Sequence, residues 1–298
     1  MQARNQRDPL SQQPKHVGVG DDSAAGLTAT GILLMGLSEE RKAVLTSADG
    51  VTLDARIIHV QSSRGAILLV HGFSVDLHEE GTFDTLAERL AKSGLSAVRF
   101  SFRGQGESDG TQEEMTISGE RLDFLAAYDA LTKQVNPPYG IVAASFGAVS
   151  TLLELGKLQP RPGGLVLWNP VLDIESVFVH PTTPWGRLNF GQKAFDIARR
   201  NGYIVVDGVF RAGDALFKEM RLYPGNLGLL HLQGIPTVIF HGTEDTYVPL
   251  ATSRSVSALR NVQVVEVPGS DHGFPAPENE ERVVSQTVAW FDTLFPRR

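Results

Sequence analysis

The chain has 298 residues, of which 42% are hydrophobic and 20% charged, a formal net charge of −7 and no cysteine. That composition supplies apolar material for a sizeable core, and the acidic balance argues against nucleic acid and anionic membrane surfaces as main partners. A chain without cysteine has no disulfides, no thiolate metal sites and no cysteine nucleophile.

Residues 1–26 are rich in Gln, Asp, Arg and Gly and read as a solvated tail, so residues 1–41 are expected to be a partly disordered tail and lead-in. The early run "ILLMGL" at 32–37 is too short for a signal-peptide core. No apolar run approaches the roughly 18 residues that cross a bilayer. Cytoplasmic residence is the expectation. Structured sequence begins with "RKAVLTSADGVTLDARIIHV", two β-type runs joined by Asp49-Gly50, a hairpin signal.

Beyond the hairpin the pattern changes. "GAILLVHG" (65–72) is a continuous apolar run, suited to a strand buried on both faces of a parallel sheet. "TFDTLAERLAKSG" (82–94) has helical spacing at Phe83, Leu86, Ala87 and Leu90, and Gly94 stops it. "LSAVRFSF", "YGIVAA", "GGLVLWNP", "IPTVIFHG" and "NVQVVEVPG" follow as strands. Between and after them "SGERLDFLAAYDALTKQ", "FGAVSTLLELGKL", "TSRSVSALR" and "ENEERVVSQTVAWFDTLF" read as helical or connecting segments. Strands alternating with helices predict an α/β fold with a mostly parallel sheet flanked by helices. Residues 171–231 break the rhythm with Phe178, Trp185, Phe190, Phe195, Tyr203, Phe210, Phe217 and Tyr223. They are expected to be a lid or cap inserted into a core formed by 42–170 and 232–298.

Within "YGIVAASFGAVS" a lone hydroxyl, Ser145, ends a buried strand and begins a helix. A sharp strand-to-helix turn brings two backbones nearly into contact, so the positions two before and two after the serine must be small. Ala143 and Gly147 are small. Alone, Ala-x-Ser-x-Gly fits a helix-capping serine equally well. Serine needs a base, and an imidazole needs a carboxylate to fix its tautomer. Asp245 in "VIFHGTEDTYVP" and His272 in "VVEVPGSDHGF" fall just past successive strands, giving the order serine, acid, histidine. Asp173 is a rival for the acid, whereas Glu244 and Asp271 read as solvated neighbours. The oxyanion of acyl transfer needs donors, expected from the backbone N–H of Phe146 and of Phe73. His71 and His241 read as structural, and His16, His59, His78, His180 and His231 have no partner pattern.

The motifs "LLVHGF" (68–73), "VRFSFRGQGESDG" (98–110), "VAASFGA" (142–148), "HGTEDTYVP" (241–249) and "GSDHGF" (269–274) together resemble the α/β-hydrolase family. The likeness covers about residues 42–298, within the serine esterase, lipase and serine-peptidase-like branch with a lid. It is closest to cinnamoyl and feruloyl esterases and acyl-thioesterase-like members. Those relatives often have Asp where this chain has Ser101 and His where it has Gln105.

The expected function is therefore hydrolysis of carboxylic esters of apolar or aromatic acyl groups through an acyl-enzyme, with Ser145, Asp245 and His272 as the triad. Phe178, Trp185 and Phe190 are the expected substrate contacts in the lid. An acyl thioesterase or acyltransferase would use the same residues, and an inactive binding protein on this scaffold is the non-enzyme alternative. Small-molecule ester or thioester substrates are the expected partners. No clustered His, Asp and Glu set and no strand–GxGxxG–helix context calls for a metal or an organic cofactor.

Overall fold

The computed structural model describes residues 39–297 apart from 135, 137 and 224. The tail expected over residues 1–26, and the lead-in as far as residue 38, lie outside the described residues.

β1 (Glu40–Thr46) and β2 (Thr52–Ile58) pair antiparallel with Glu40 opposite Ile58 and Thr46 opposite Thr52. Asp49-Gly50 stands in the turn, Gly50 at a positive φ of 92°. After the hairpin come β3 (Ala66–Val70), α1 (Thr82–Lys92), β4 (Ser96–Phe100), α2 (Ile117–Gln134), β5 (Tyr139–Ala144), α3 (Gly147–Leu155) and β6 (Gly164–Trp168). Next is an intervening segment with α4 (Pro184–Asn189), α5 (Gln192–Asn201), β7 (Tyr203–Val206), β8 (Phe210–Gly213), α6 (Asp214–Met220) and α7 (Leu227–His231). The chain then returns through β9 (Thr237–Gly242), α8 (Leu250–Val256), β10 (Val262–Val267) and α9 (Pro277–Leu294).

An eight-stranded sheet runs in the order β1-β2-β4-β3-β5-β6-β9-β10. It is antiparallel only where β2 meets β1 and β4, and every pairing from β4 to β10 is parallel. Its central strands are apolar without alternation because both faces are covered. In β3, Ile67 and Leu69 join Phe83, Leu86 and Leu90 of α1 and Val283, Val284 and Phe291 of α9 in one buried cluster. Ala66, Leu68 and Val70 join Phe124 and Tyr128 of α2 and Val149 and Leu152 of α3 in the other. Each fully buried side chain of this size contributes about 1.5–3 kcal/mol, so this double burial is what specifies the register.

Residues 171–231 are short elements rather than one long connection. A π-helical turn at Glu175–Val179 precedes α4, and β7 and β8 form a separate two-stranded antiparallel sheet. Thr183 caps α4 by accepting from Gly186 N–H, and Asn226 caps α7 by accepting from Leu229 N–H. Phe178, Phe190, Phe195, Phe210 and Phe217 are buried in the same cluster as Phe73 and Phe146 of the sheet's loops. Leu188 and Val209 stay exposed.

Candidate active site

Two residues separate β5 from α3, and the first of them, Ser145, has φ 47°. That left-handed conformation is costly for a residue with a side chain and persists only where its surroundings over-determine it. Here Ser145 N–H donates to Trp168 O at 2.8 Å, and Ser145 O accepts from Val171 N–H at 2.9 Å. A Cβ on residue 147 would lie 2.3 Å from His71 O and 2.8 Å from Val70 O, so only glycine lets α3 approach β3 this closely. The turn therefore lifts the serine hydroxyl clear of the sheet, half-buried, while Ala143 and Gly147 beneath it are fully buried.

β9 and β10 are parallel neighbours, and the loops beyond them are laced together. Glu244 N–H donates to Ser270 O at 3.0 Å, and Thr246 N–H donates to Asp271 Oδ1 at 2.8 Å. Gly242 lies so near Ser270 O that a Cβ there would be 2.3 Å from it. Within this lacing His272 Nδ1 stands 2.9 Å from Asp245 Oδ2, and His272 Nε2 stands 3.0 Å from Ser145 Oγ. An ionised carboxylate only accepts, so His272 carries its proton on Nδ1 and leaves Nε2 to accept from the serine hydroxyl. Asp173, the rival acid, instead caps Glu175 N–H at 3.1 Å. Asp271 binds Thr246 and the His272 N–H, and Glu244 is exposed.

The Asp245 carboxyl is fully buried and its Oδ1 accepts from Tyr247 N–H at 2.9 Å and Val248 N–H at 2.8 Å. Burial alone would push its pKa up, but the neighbouring imidazoles of His272 and His241 outweigh that and hold it well below the usual carboxylate range. It is an anion at every pH where the protein would work.

On the opposite side of Ser145 runs the loop after β3. His71 is wholly buried, and its Nε2 accepts from Phe102 N–H at 2.9 Å while Nδ1 lies 2.9 Å from Gly72 O. Burial lowers its pKa to about 4, so it is a neutral strut between the loops after β3 and β4. Glu79 accepts from Gly72 N–H at 2.8 Å, and burial raises its pKa to about 7. Among the described residues, the backbone N–H groups of Phe73 and Phe146 have no protein acceptor. The rings of these two residues meet edge to face at 5.5 Å.

The expected lid contacts fall into two kinds. Phe178 and Phe190 are buried, packing on each other at 4.8 Å and on Phe73 at 6.0 and 6.2 Å. Trp185 is half-buried and stacks on Tyr247 at 4.6 Å, and Tyr247 stacks on the His272 imidazole at 4.8 Å. Tyr247 and Glu79 carry no sequence signal beyond their places, two residues past the acid and six past Phe73. Among the described residues, no group of three His, Cys, Asp or Glu could hold a metal ion, and no helix is long and apolar enough to cross a membrane.

The sequence pattern described as "Alpha/beta hydrolase family" matches residues 67–286, from β3 into α9, and so takes in the serine, the acid and the histidine. The chain belongs to the α/β hydrolase family. Membership of the α/β hydrolases supports a hydrolase. The chain is similar to the lysophosphatidylserine lipase ABHD12 of Gallus gallus, 29% identical over 213 residues that cover 70% of this chain and 52% of that protein. It spans about half or less of the length of the curated relatives it matches. Among solved structures it resembles Est1E from Butyrivibrio proteoclasticus bound to ferulic acid, with a TM-score of 0.70 and 18% identity. That likeness covers 86% of this chain and 100% of Est1E. Mouse alpha/beta hydrolase domain-containing protein 10 gives a TM-score of 0.67 at 18% identity, over 85% and 99% of the two chains. At these identities the likenesses speak to the fold.

Proposed function

We propose that the chain is a serine hydrolase that cleaves carboxylic esters of apolar or aromatic acyl groups through an acyl-enzyme. The observation that supports this most is the unbroken line Asp245 Oδ2, His272 Nδ1, His272 Nε2, Ser145 Oγ, with contacts of 2.9 and 3.0 Å. In this reading His272 Nε2 takes the Ser145 proton as Oγ attacks the ester carbonyl carbon. Asp245 steadies the imidazolium, and the N–H groups of Phe73 and Phe146 receive the oxyanion. Collapse of the tetrahedral species breaks the bond to the alcohol, which leaves with the proton from His272. Water then attacks the acyl-serine with His272 again as base, releasing the carboxylic acid and restoring the hydroxyl.

The acyl preference rests on the segment 171–231 acting as a lid. Its rings surround Phe73, one of the proposed oxyanion donors, and the Trp185–Tyr247 stack faces His272. Burying an aromatic group of about 100 Å² against such a wall contributes roughly 2.5 kcal/mol. Acyl transfer to a thiol or alcohol acceptor is the second reading, favoured by a 30% identity over 97 residues to an acyl transferase of Photorhabdus luminescens. A fluorophosphonate probe tests the nucleophile: it should label the wild type at Ser145 and leave the Ser145→Ala variant unlabelled. A panel of p-nitrophenyl esters, aryl esters and acyl thioesters separates the acyl carriers. A chain that neither labels nor turns over any of them would be a binding protein on this scaffold.

A further inference from the structure

Asp245 is approached from two sides. His272 reaches Oδ2 from the loop after β10, and His241, the next-to-last residue of β9, reaches the same oxygen with Nε2 at 3.2 Å. The His241 ring is wholly buried, and its Nδ1 lies 2.8 Å from the hydroxyl of Ser253 in α8, itself wholly buried. Nε2 also lies 3.2 Å from Val248 O. A carbonyl and a carboxylate both accept, so the imidazole can face them only with its proton on Nε2. Nδ1 is then bare and accepts from Ser253 O–H, the arrangement that satisfies every partner. The result is a second serine–histidine pair, Ser253–His241, that mirrors Ser145–His272 across one shared carboxylate.

We propose that His241 is a positioning residue of this site, fixing Asp245 from the side opposite His272, with Ser253 setting its tautomer. This rests on the serine-hydrolase reading above. Two physical consequences separate that role from simple packing. Asp245 is a short side chain whose Oδ2 must point at His272 Nδ1, and His241 Nε2, which also faces Val248 O, is the one side-chain nitrogen besides those of His272 that lies beside that oxygen among the described residues, at 3.2 Å. Without it the carboxylate is fixed only by His272 itself on Oδ2 and by the backbone N–H groups of Tyr247 and Val248 on Oδ1. In addition, an oxygen that accepts from two imidazoles attracts each less than one that accepts from a single imidazole. Removing His241 therefore leaves a carboxylate that is less well aimed but pulls harder on the His272 proton.

Other charges face this chain of groups. Glu266 is the β10 partner of His241 in the sheet register, but Arg254 holds it at 2.7 Å. Glu79 faces His272 from the loop after β3, Asp271 binds the His272 N–H, and the Tyr247 ring covers the imidazole. None of them touches Asp245 Oδ2, so a change confined to His241 should be read through Asp245.

The test uses the full chain and the rate of fluorophosphonate labelling of Ser145 from roughly pH 5 to 9, across the range where an imidazole base titrates. His241→Leu keeps apolar bulk and removes the donor. It should lower the limiting labelling rate about 10- to 100-fold and move the acid limb upward by roughly half a pH unit. His241→Gln, whose amide N–H reaches the place of Nε2, should recover most of the rate and return the limb. Ser253→Ala, a milder change, should shift the limb in the same direction by less. His241→Leu labelling at the wild-type rate with an unmoved limb overturns the proposal, whatever happens to its melting temperature. So does a slowed rate with an unmoved limb that His241→Gln fails to restore. Should His241→Leu not fold, an unchanged rate and limb in Ser253→Ala overturns it. A wild-type chain that never labels brings down the serine-hydrolase reading itself, whereas a labelled wild type with unresponsive variants brings down only the role of His241.

Discussion

Around Ser145 the polar partners all come from core loops, and the apolar surroundings come largely from residues 171–231. His272 and Asp245 lie beyond β10 and β9, held by hydrogen bonds of about 3 Å or less, and the N–H groups of Phe73 and Phe146, without a protein acceptor among the described residues, lie beyond β3 and β5. The segment 171–231 contributes rings instead. Phe178, Phe190 and Phe210 gather around Phe73 at 4.6–6.2 Å, and Trp185 leans on Tyr247. Hydrogen bonds are directional and fix reacting atoms, whereas apolar contacts are non-directional and tolerate repacking. A chain divided this way can change what it accepts without disturbing how it reacts.

Ser145→Ala tests the polar half most severely. Ester hydrolysis should fall about 10⁴-fold or more with the fold intact. A variant that keeps a tenth of the wild-type kcat would show that Ser145 is not the nucleophile. Gly147→Ala strikes the same half through the backbone. Its methyl would sit 2.3 Å from His71 O, so the turn must open and carry the hydroxyl away from His272. A loss of about 10²-fold in kcat is expected, with a stability loss of roughly 1–3 kcal/mol from overpacking. Wild-type kcat in a well-folded Gly147→Ala protein would show that the close approach is incidental.

Trp185→Ala probes the apolar half. The ratio of kcat/KM between an aromatic ester and an acetyl ester should drop roughly tenfold, with the fluorophosphonate labelling rate changed far less. Equal losses on both esters would make Trp185 a support for Tyr247 and His272 rather than a selector. The smallest effect is on stability. Glu79 is held near 7, above its ordinary value of 4.5, so between those values the folded chain binds more protons than the unfolded one. Its contribution is then present below about pH 4.5 and is lost as pH rises through about 7. Glu79→Gln should remove that part of the slope, narrowing the difference in melting temperature between pH 5 and 7.5 by a few degrees. An unchanged slope would mean that Glu79 does not take up a proton in this range.

Much of this was legible in the sequence because it is local. Continuous apolar runs such as "AILLV" and "GLVLW" mark strands covered on both faces, and Ser145, Asp245 and His272 follow the ends of β5, β9 and β10. What escaped depends on where loops converge. Tyr247 lies over His272 only because Thr246 is bound by Asp271, which folds the two loops together. Glu79 meets Gly72 only because Glu79 and Glu80 both take positive φ angles, of 45° and 56°. His241 reads only as a structural histidine from the sequence, and its partner Ser253 is brought to it by α8. Composition marks the aromatics of 171–231 as a group, but it does not tell Phe178 and Phe190, which are buried, from Trp185, which is half-buried.

The stacked column of Trp185, Tyr247 and His272 also gives the protein an optical handle. Of its three tryptophans, Trp168 is buried with its Nε1–H on Thr287, and Trp290 lies in α9 against Phe291. Trp185 alone is stacked on the Tyr247 ring that covers the imidazole. Its emission should therefore brighten and shift to the red on any change that parts Trp185 from Tyr247, while the other two indoles keep their surroundings. The intrinsic fluorescence of the unmodified chain would then report any separation of Trp185 from Tyr247 in real time, with no added substrate.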